Sequence, residues 1–339
     1  VPDVRCAYEG RVALRPNRAT ERPNTVTILL MNTMTPEAIS QAYNNRLRVP
    51  DFQNILRLWD EHSAWARQGL QAQGLGHWNL RYGPRPLNTL DVVQAAPAPL
   101  GASLEGGAGR SKAHPSGAPI LFFIHGGYWR MLDKSAQTFI APRLSRRGAM
   151  VVIPNYSLAP SVTLEDICLE IVQALAWVWA HAAQWGGDPN RIVVAGHSAG
   201  GHLTAMALSC RTAVLGAALG LKLPQALSTR GVAISGLFDL APLVHCEWLM
   251  SDIGLTPRSI NRLSPAGWPA PPGCRLMAVA GEDESSEFHR QNQIILKAWG
   301  PDAVPVVETI AQRNHFDVLL DLMDDNARLS ALLDTQLGL

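Results

Sequence analysis

The chain has little of what marks a secreted, membrane or nucleic-acid-binding protein. Its five cysteines (Cys6, Cys168, Cys210, Cys246, Cys274) are scattered, odd in number and form no C-x-x-C pair. That argues against a disulfide framework or a zinc knuckle and suits a reducing cytoplasm. An excess of charge of one sign is almost absent: 29 Lys+Arg against 28 Asp+Glu leave a formal net charge of +1. Such a balance supplies no field for nucleic acid or an acidic membrane. No apolar run reaches the length of a membrane span, and Thr25 to Met31 is too short for a signal core and has no A-x-A-like site after it. There is no H-E-x-x-H, no clustered His/Asp spacing and no G-x-G-x-x-G after the first strand, so neither a metal nor an organic cofactor is expected. No internal repeat is visible. These absences leave a soluble, cytoplasmic protein that acts on a small molecule, with no nucleic-acid or membrane partner; a homodimer stays open.

What is present is a large apolar fraction. With 47% hydrophobic and 17% charged residues, 339 residues can build one large α/β domain or two ordinary ones. Residues 1 to about 33, rich in Arg, Pro and Asn, lack periodicity. Thr35-Pro36-Glu37 is a helix start with a Thr cap, Pro in the first turn and an acid. The expectation is that residues 1–33 are a loose arm or a non-native extension before a single domain over 34–339, the native product beginning at Met31 or Met34. Phe52 to Gln73 has the spacing of an amphipathic helix, and short strands fit His77–Tyr82 and Thr89–Ala95. The Pro/Gly/Ala/Ser run over 97–119 has too little apolar area to order itself and reads as an exposed hairpin loop or mobile insert, not a domain boundary.

From Pro119 the pattern becomes regular. Strands are expected at Ile120–Ile124, Met150–Pro154, from Ile192, at Gly231–Ser235, Arg275–Ala280 and Val304–Ile310. Helices fit Ala136–Arg147, the stripe Leu164, Ile167, Ile171, Leu175, Val178, the segment after Ser198, Ser286–Trp299 and His315–Leu337. Short helices break up Leu237 to Pro272. Strands alternating with helices of this length imply an α/β fold with a doubly wound, mainly parallel sheet. Reactive groups then belong at the C-terminal ends of the strands.

One strand leads straight into Gly196-His197-Ser198-Ala199-Gly200, a G-x-S-x-G pattern. The spacing has a physical reason: a serine on a sharp strand-to-helix turn needs small neighbours so that strand and helix can approach. The helix N-terminus then offers N–H groups to a developing oxyanion. By chance such a pattern is only a small-residue turn; the strand before it and the A-M-A-L helix after it favour the nucleophile. His125-Gly126-Gly127-Tyr128-Trp129 follows the Ile120 strand, and its glycines can present N–H groups. Gly126, Gly127 and Ala199 are the candidate oxyanion hole, and at least one of Tyr128 and Trp129 a wall of the substrate pocket. The order Ser, acid, His points to His315 as general base. His62, His77, His114 and His181 read as surface residues or cap neighbours, His197 and His202 as local packing, and His125 as a brace for its own loop. The acid lies in Gly281-Glu282-Asp283-Glu284-Ser285. Three residues past the strand-end glycine selects Glu284; Asp283 is the rival because aspartate is the commoner triad member, and Glu282 reads as solvated.

From Met34 onward the chain resembles the arylformamidase (kynurenine formamidase) family and its carboxylesterase relatives, of the α/β-hydrolase fold. The resemblance rests on Tyr43-Asn44-Asn45-Arg46 with Val49-Pro50-Asp51, on His125-Gly126-Gly127-Tyr128-Trp129 and on Asn155-Tyr156-Ser157-Leu158-Ala159-Pro160. Gly196-His197-Ser198-Ala199-Gly200, Ser235-Gly236-Leu237-Phe238-Asp239-Leu240 and Glu284-Ser285-Ser286-Glu287-Phe288-His289-Arg290-Gln291 extend it. It implies a triad of Ser198, Glu284 and His315, with glutamate where many members have aspartate, and no cofactor. The substrate it implies is N-formyl-L-kynurenine, cleaved to kynurenine and formate in tryptophan breakdown. A carboxylesterase for small aryl or short-chain esters is the alternative, and a binding protein on an inactive hydrolase fold a remote one.

Overall fold

The computed structural model describes residues 34–97 and 117–339. The expectation for residues 1–33, and that for the Pro/Gly-rich run except its ends, lie outside the described residues.

Eight strands form one sheet: β1 (Gly76–Arg81), β2 (Thr89–Val93), β3 (Ala118–Ile124), β4 (Met150–Pro154), β5 (Gly187–His197), β6 (Arg230–Ile234), β7 (Arg275–Gly281) and β8 (Val306–Ile310). Their spatial order is β1-β2-β4-β3-β5-β6-β7-β8. β1 pairs antiparallel with β2, and β2 with β4, whereas every pair from β4 to β8 is parallel. The central parallel strands β3 and β4 are apolar throughout, and β5, β6 and β7 are buried over their C-terminal stretches, because helices cover both faces there. In β3, Ile120, Phe122 and Ile124 enter one core cluster and Leu121 and Phe123 the other, as the two-residue period of a strand requires.

After β3 the chain fills β4 on one side and then crosses to β5 on the other, so the winding reverses between β3 and β5. That crevice is where ligands bind in open α/β sheets. Register brings the strand ends level: Ile124 faces Gly196, His197 faces Ile234, and Gly281 faces Ile310. The loops that follow β3, β5, β6, β7 and β8 therefore leave the sheet side by side.

The first cluster packs under the helix Leu164–His181, which opens on a reciprocal Thr163–Asp166 capping box. The second packs under Phe52–Ala72, whose Ile55, Trp59, Ser63 and Leu70 face inward, and under the C-terminal helix Arg328–Leu337. Buried Arg143 makes a two-pronged ion pair with Asp334 (2.8 and 3.0 Å), tying that last helix to the helix Ala141–Arg146.

Two expected helices are divided. The segment expected at Ala136–Arg147 is a 3-10 helix, Lys134–Ile140, followed by Ala141–Arg146. Pro142 has no N–H to continue an α-helical ladder from the preceding turn. The segment expected at His315–Leu337 is a 3-10 helix, Asp317–Met323, and then Arg328–Leu337. Between them Asp324 accepts from the Asn326 N–H at 2.9 Å, the local bond by which Asp side chains displace helix bonds. Among the described residues no single helix is long and apolar enough to cross a membrane.

Candidate active site

The turn at Ser198 is as tight as its composition implies. Ser198 has φ 57° and ψ −118°, outside the comfortable regions for an L-residue, at a cost of about 1–3 kcal/mol. Its neighbours have no room for a side chain: a Cβ on Gly200 would lie 2.0 Å from the Ile124 carbonyl oxygen, and one on Gly196 2.3 Å from that of Gly200. Bonds from Ser198 N–H to Ile234 O (2.8 Å) and from Gly201 N–H to Ser198 O (2.8 Å) hold the turn in place. The helix Ala199–Leu208 starts at once, so its N-terminus sits beside the serine.

The loop after β3 lies against this turn. A Cβ on Gly126 would come within 2.9 Å of His197 O and 3.2 Å of Ser198 Cβ, which places Gly126 directly beside the serine. Gly127 has φ +104°, and Tyr128 and Trp129 also have positive φ, so the chain doubles back and Gly127 O receives the N–H groups of Arg130 and Met131 (both 3.1 Å). Among the described residues no acceptor takes the N–H of Gly126, Gly127 or Ala199. His125 braces the loop, stacking on Tyr156 (4.3 Å between centroids) with Nε2 3.1 Å from Asn155 Oδ1. Tyr156 Oη donates back to His125 O at 3.0 Å.

The reversal decides between the two rings: Tyr128 is the pocket wall, and the reading of Trp129 as a substrate-binding residue is corrected. Trp129 is not a pocket wall: it is fully buried in the first core cluster, edge-on to His202 at 5.1 Å. Consecutive positive φ values at Tyr128 and Trp129 send the two rings apart, one into the pocket and one beneath the loop. Tyr128 alone lines the pocket, its hydroxyl donating to Tyr43 O at 2.5 Å.

His315 follows β8, and its Nδ1 lies 2.7 Å from Glu284 Oε2. Since a carboxylate only accepts, Nδ1 carries the proton and Nε2 is the basic nitrogen. The other oxygen, Glu284 Oε1, takes the Ser235 hydroxyl (2.5 Å) and the Gly281 N–H (2.8 Å). Glu284 is buried with three donors, whereas Asp283 and Glu282 are exposed and Glu282 takes only the Gln312 N–H, at 2.9 Å. Of the three competing carboxylates, Glu284 alone reaches the histidine. The His315 ring is held between His197 and Phe288, each 4.7 Å away by ring centroid. His197 donates from Nε2 to His315 O at 2.7 Å, so the residue before the serine also fixes the backbone of the histidine.

Ser198 (2% exposed) and His315 (4% exposed) open onto one cavity of about 210 Å³. Its apolar wall is Leu56, Trp59, Tyr128, Leu132, Trp248 and Phe316. Trp248 meets Tyr128 edge-on at 5.3 Å. A larger cleft beside Arg85 and Trp177, about 460 Å³, shares no lining residue with the Ser198 cavity, and its acids Asp166 and Glu170 are both paired with Arg85.

Sequence reasoning missed Ser235, Trp248, Phe316 and the role of the Y-N-x-R segment. Tyr43 is fully buried, donates to Glu287 Oε2 (2.9 Å) and accepts from Gln291 Nε2 (2.8 Å). Gln291 Oε1 in turn takes the N–H groups of Phe238 and Asp239. The quoted motifs at 43–46, 235–240 and 284–291 are thus three sides of one buried hydrogen-bond network behind the acid. Reading them as mutual partners required only that a buried tyrosine hydroxyl finds an acceptor.

Three histidines in this region are held neutral. Burial lowers the affinity of His125, His197 and His202 for a proton, to about 4 for His202, and at His197 the facing His315 adds to the effect of burial. In the unfolded chain each titrates near its ordinary value of about 6.5. Between that value and the depressed folded one, the unfolded state binds more protons and stability falls as pH falls. The urea midpoint is therefore expected to drop steeply from pH 7 to pH 5, before most carboxylates titrate. A midpoint unchanged over that interval would mean the histidines are charged in the fold.

A doubly wound sheet, a strained serine turn after β5 and an acid–histidine pair on the loops after β7 and β8 define an α/β hydrolase. Comparison with known proteins agrees: a family described by the alpha/beta hydrolase fold matches residues 121–235. The kynurenine formamidase of Drosophila melanogaster is 30% identical over 224 residues, 64% of this chain and 72% of its own. That of Danio rerio is 26% identical over 226 residues, 65% and 73% of the two chains. Among solved structures, a candidate thioesterase from Silicibacter sp. TM1040 superposes with a TM-score of 0.68 at 28% identity, covering 86% of this chain and 97% of that one. Esterase B from Lactobacillus rhamnosis superposes at 0.58 with 18% identity, covering 86% and 95%, a likeness of fold. The chain belongs to the kynurenine formamidase family of α/β hydrolases, and it is a hydrolase.

Proposed function

We propose that the protein is a serine hydrolase that removes the formyl group from an N-formyl aryl amide, N-formyl-L-kynurenine, through an acyl-serine intermediate. The observation that carries this reading is the Glu284–His315 bond beside the Ser198 turn, in a cavity with aromatic walls. Ser198 Oγ attacks the carbonyl carbon as His315 Nε2 takes its proton; Glu284 keeps the imidazole in the Nδ1–H tautomer and steadies the imidazolium. The unclaimed N–H groups of Gly126, Gly127 and Ala199 receive the oxyanion. His315 then protonates the departing aryl amine. A water deprotonated by His315 attacks the formyl-serine, and formate leaves as the serine regains its proton.

The cavity's size supports a small substrate. About 210 Å³ is below the roughly 300–1,000 Å³ of sites for drug-sized ligands. Tyr128, Trp248 and Phe316 offer aromatic walls to an aryl group, and Gly127 lines the cavity together with Ser198, which suits a small acyl group. The esterases among the structural relatives favour a second reading, a carboxylesterase for small aryl or short-chain acyl esters, which would use the same residues. Steady-state hydrolysis of N-formyl-L-kynurenine beside p-nitrophenyl acetate separates the two. A kcat/KM for the formamide far above that for the ester is expected. A good ester rate with negligible formamide turnover would leave an esterase and remove kynurenine formation, hence tryptophan breakdown, from the account.

A further inference from the structure

Two arginines and no carboxylate line the cavity that holds Ser198. The two are differently provided for. Arg130 is neutralised: its Nη1 is paired with Asp252, and it also donates to Trp248 O at 2.8 Å. Arg46 has no acidic partner among the described residues. Its guanidinium donates to the sulfur of Met131 at 2.8 Å and lies 5.5 Å over the Phe52 ring. A thioether is a weak acceptor and an aromatic face a partial one, so both position the group without cancelling its charge. Met131 bonds through its N–H to Gly127 O, so the arginine is tied to the loop beside the serine.

Two further donors on the same wall have no acceptor. Asn45 Nδ2 and Trp59 Nε1 are buried without a hydrogen-bond partner, in residues 4% and 1% exposed that both line this cavity. Buried polar groups left unpaired in a free protein are destabilising, and at a pocket they mark where a ligand supplies the missing atoms. A positive rim with donors and no acids beneath it suits an anion with several acceptor oxygens.

We propose that Arg46 is a specificity-determining residue that binds a carboxylate carried on the leaving-group side of the substrate, with Asn45 and Trp59 donating to oxygens between that carboxylate and the reacting carbonyl. The inference rests on the reading of Ser198 as the nucleophile of this cavity, and it names the substrate class as acidic aryl amides or esters. The guanidinium's planar pair of donors matches a carboxylate in a way a lysine ammonium does not.

The test uses two matched pairs. One is N-formyl-L-kynurenine against its decarboxylated analogue, N-formylkynuramine; the other is 3-(3-acetoxyphenyl)propanoate against its N-methylamide. The readout is the ratio of kcat/KM, acid over neutral partner. The wild-type ratio is expected to be about tenfold or more, the range of a hydrogen bond to a charged group, and to shrink as salt is raised to about 0.5 M, where charges at a pocket mouth are screened. Arg46→Gln should bring the ratio close to one, through KM more than kcat, and Arg46→Lys should restore part of it. A wild-type ratio near one, or a ratio that survives Arg46→Gln, overturns the proposal. Turnover of the acetoxy pair with the expected ratios, but of neither formamide, would remove the formamidase reading and leave Arg46 in its role. Turnover of both formamides with a ratio indifferent to Arg46 would do the reverse.

Discussion

Ser198→Ala is expected to lower kcat/KM for the best carbonyl substrate by about 10⁴–10⁶-fold with little change in melting temperature, as in hydrolases whose nucleophile, base and acid act as one unit. The residue's backbone is held by Ile234 and Gly201 through main-chain bonds that alanine keeps. Its strained φ of 57° is imposed by the close approach of Gly196 and Gly200, and a β-carbon is already accommodated there. Only the attacking oxygen is lost. Residual turnover above the uncatalysed rate would come from the N–H groups of Gly126, Gly127 and Ala199. The measurement pairs steady-state kinetics with labelling by a fluorophosphonate: wild-type protein should take up one equivalent and the variant none. A variant within about tenfold of the wild type would place the nucleophile elsewhere and leave the serine turn a structural device.

The second large effect falls on Glu284. Glu284→Gln is expected to lower kcat by about 10³–10⁴-fold, the scale found when a triad acid becomes its amide. An amide at this position can turn its NH2 toward Nδ1, which then must accept, placing the proton on Nε2 where the serine's proton has to go. It also loses the charge that stabilises the imidazolium. Asp283→Asn, by contrast, should stay within about twofold, because Asp283 is exposed and makes no side-chain contact with His315. The pair of variants is read together. A large loss in Asp283→Asn with a small one in Glu284→Gln would reverse the assignment, and the 2.7 Å bond between Glu284 and His315 would have no catalytic meaning.

The centre of the sheet was legible because its strands are buried on both faces. Met150–Pro154 and the helix Ser286–Trp299 have the ends that their apolar patterns predict, and the outer strands differ by a residue or two. Positions at strand ends were legible for the same reason: once β5, β7 and β8 are placed, chain order points to Ser198 and His315, but it leaves three adjacent carboxylates in competition, and only the 2.7 Å bond to His315 singles out Glu284. Rings on irregular backbone were not. Tyr128 and Trp129 are adjacent and chemically alike, and only the left-handed φ values after Gly127 separate the pocket wall from the core residue. Trp248 reaches the cavity from a short helix in a mixed segment, and Phe316 from irregular backbone just before Asp317, where the sequence pattern reads as helix. Ser235 stood in a recognised motif, but its hydroxyl bond to Glu284 joins residues 49 apart, and linear spacing carries no trace of it.

The buried tyrosine near the start of the described chain has a consequence for how the molecule is made. Tyr43 is tied to Glu287 and Gln291, 244 and 248 residues further on, and its carbonyl to Tyr128. A ribosome delivers residue 43 long before residue 291, so the first helix must wait, its polar anchor unmatched, until most of the sheet exists. Such distant pairings are slow to find and form after local ones. The wall that carries Asn45 and Arg46 is therefore among the last parts of the cavity to close, and a nascent chain would assemble its reacting groups only after the segment from Glu284 to His315 has been made.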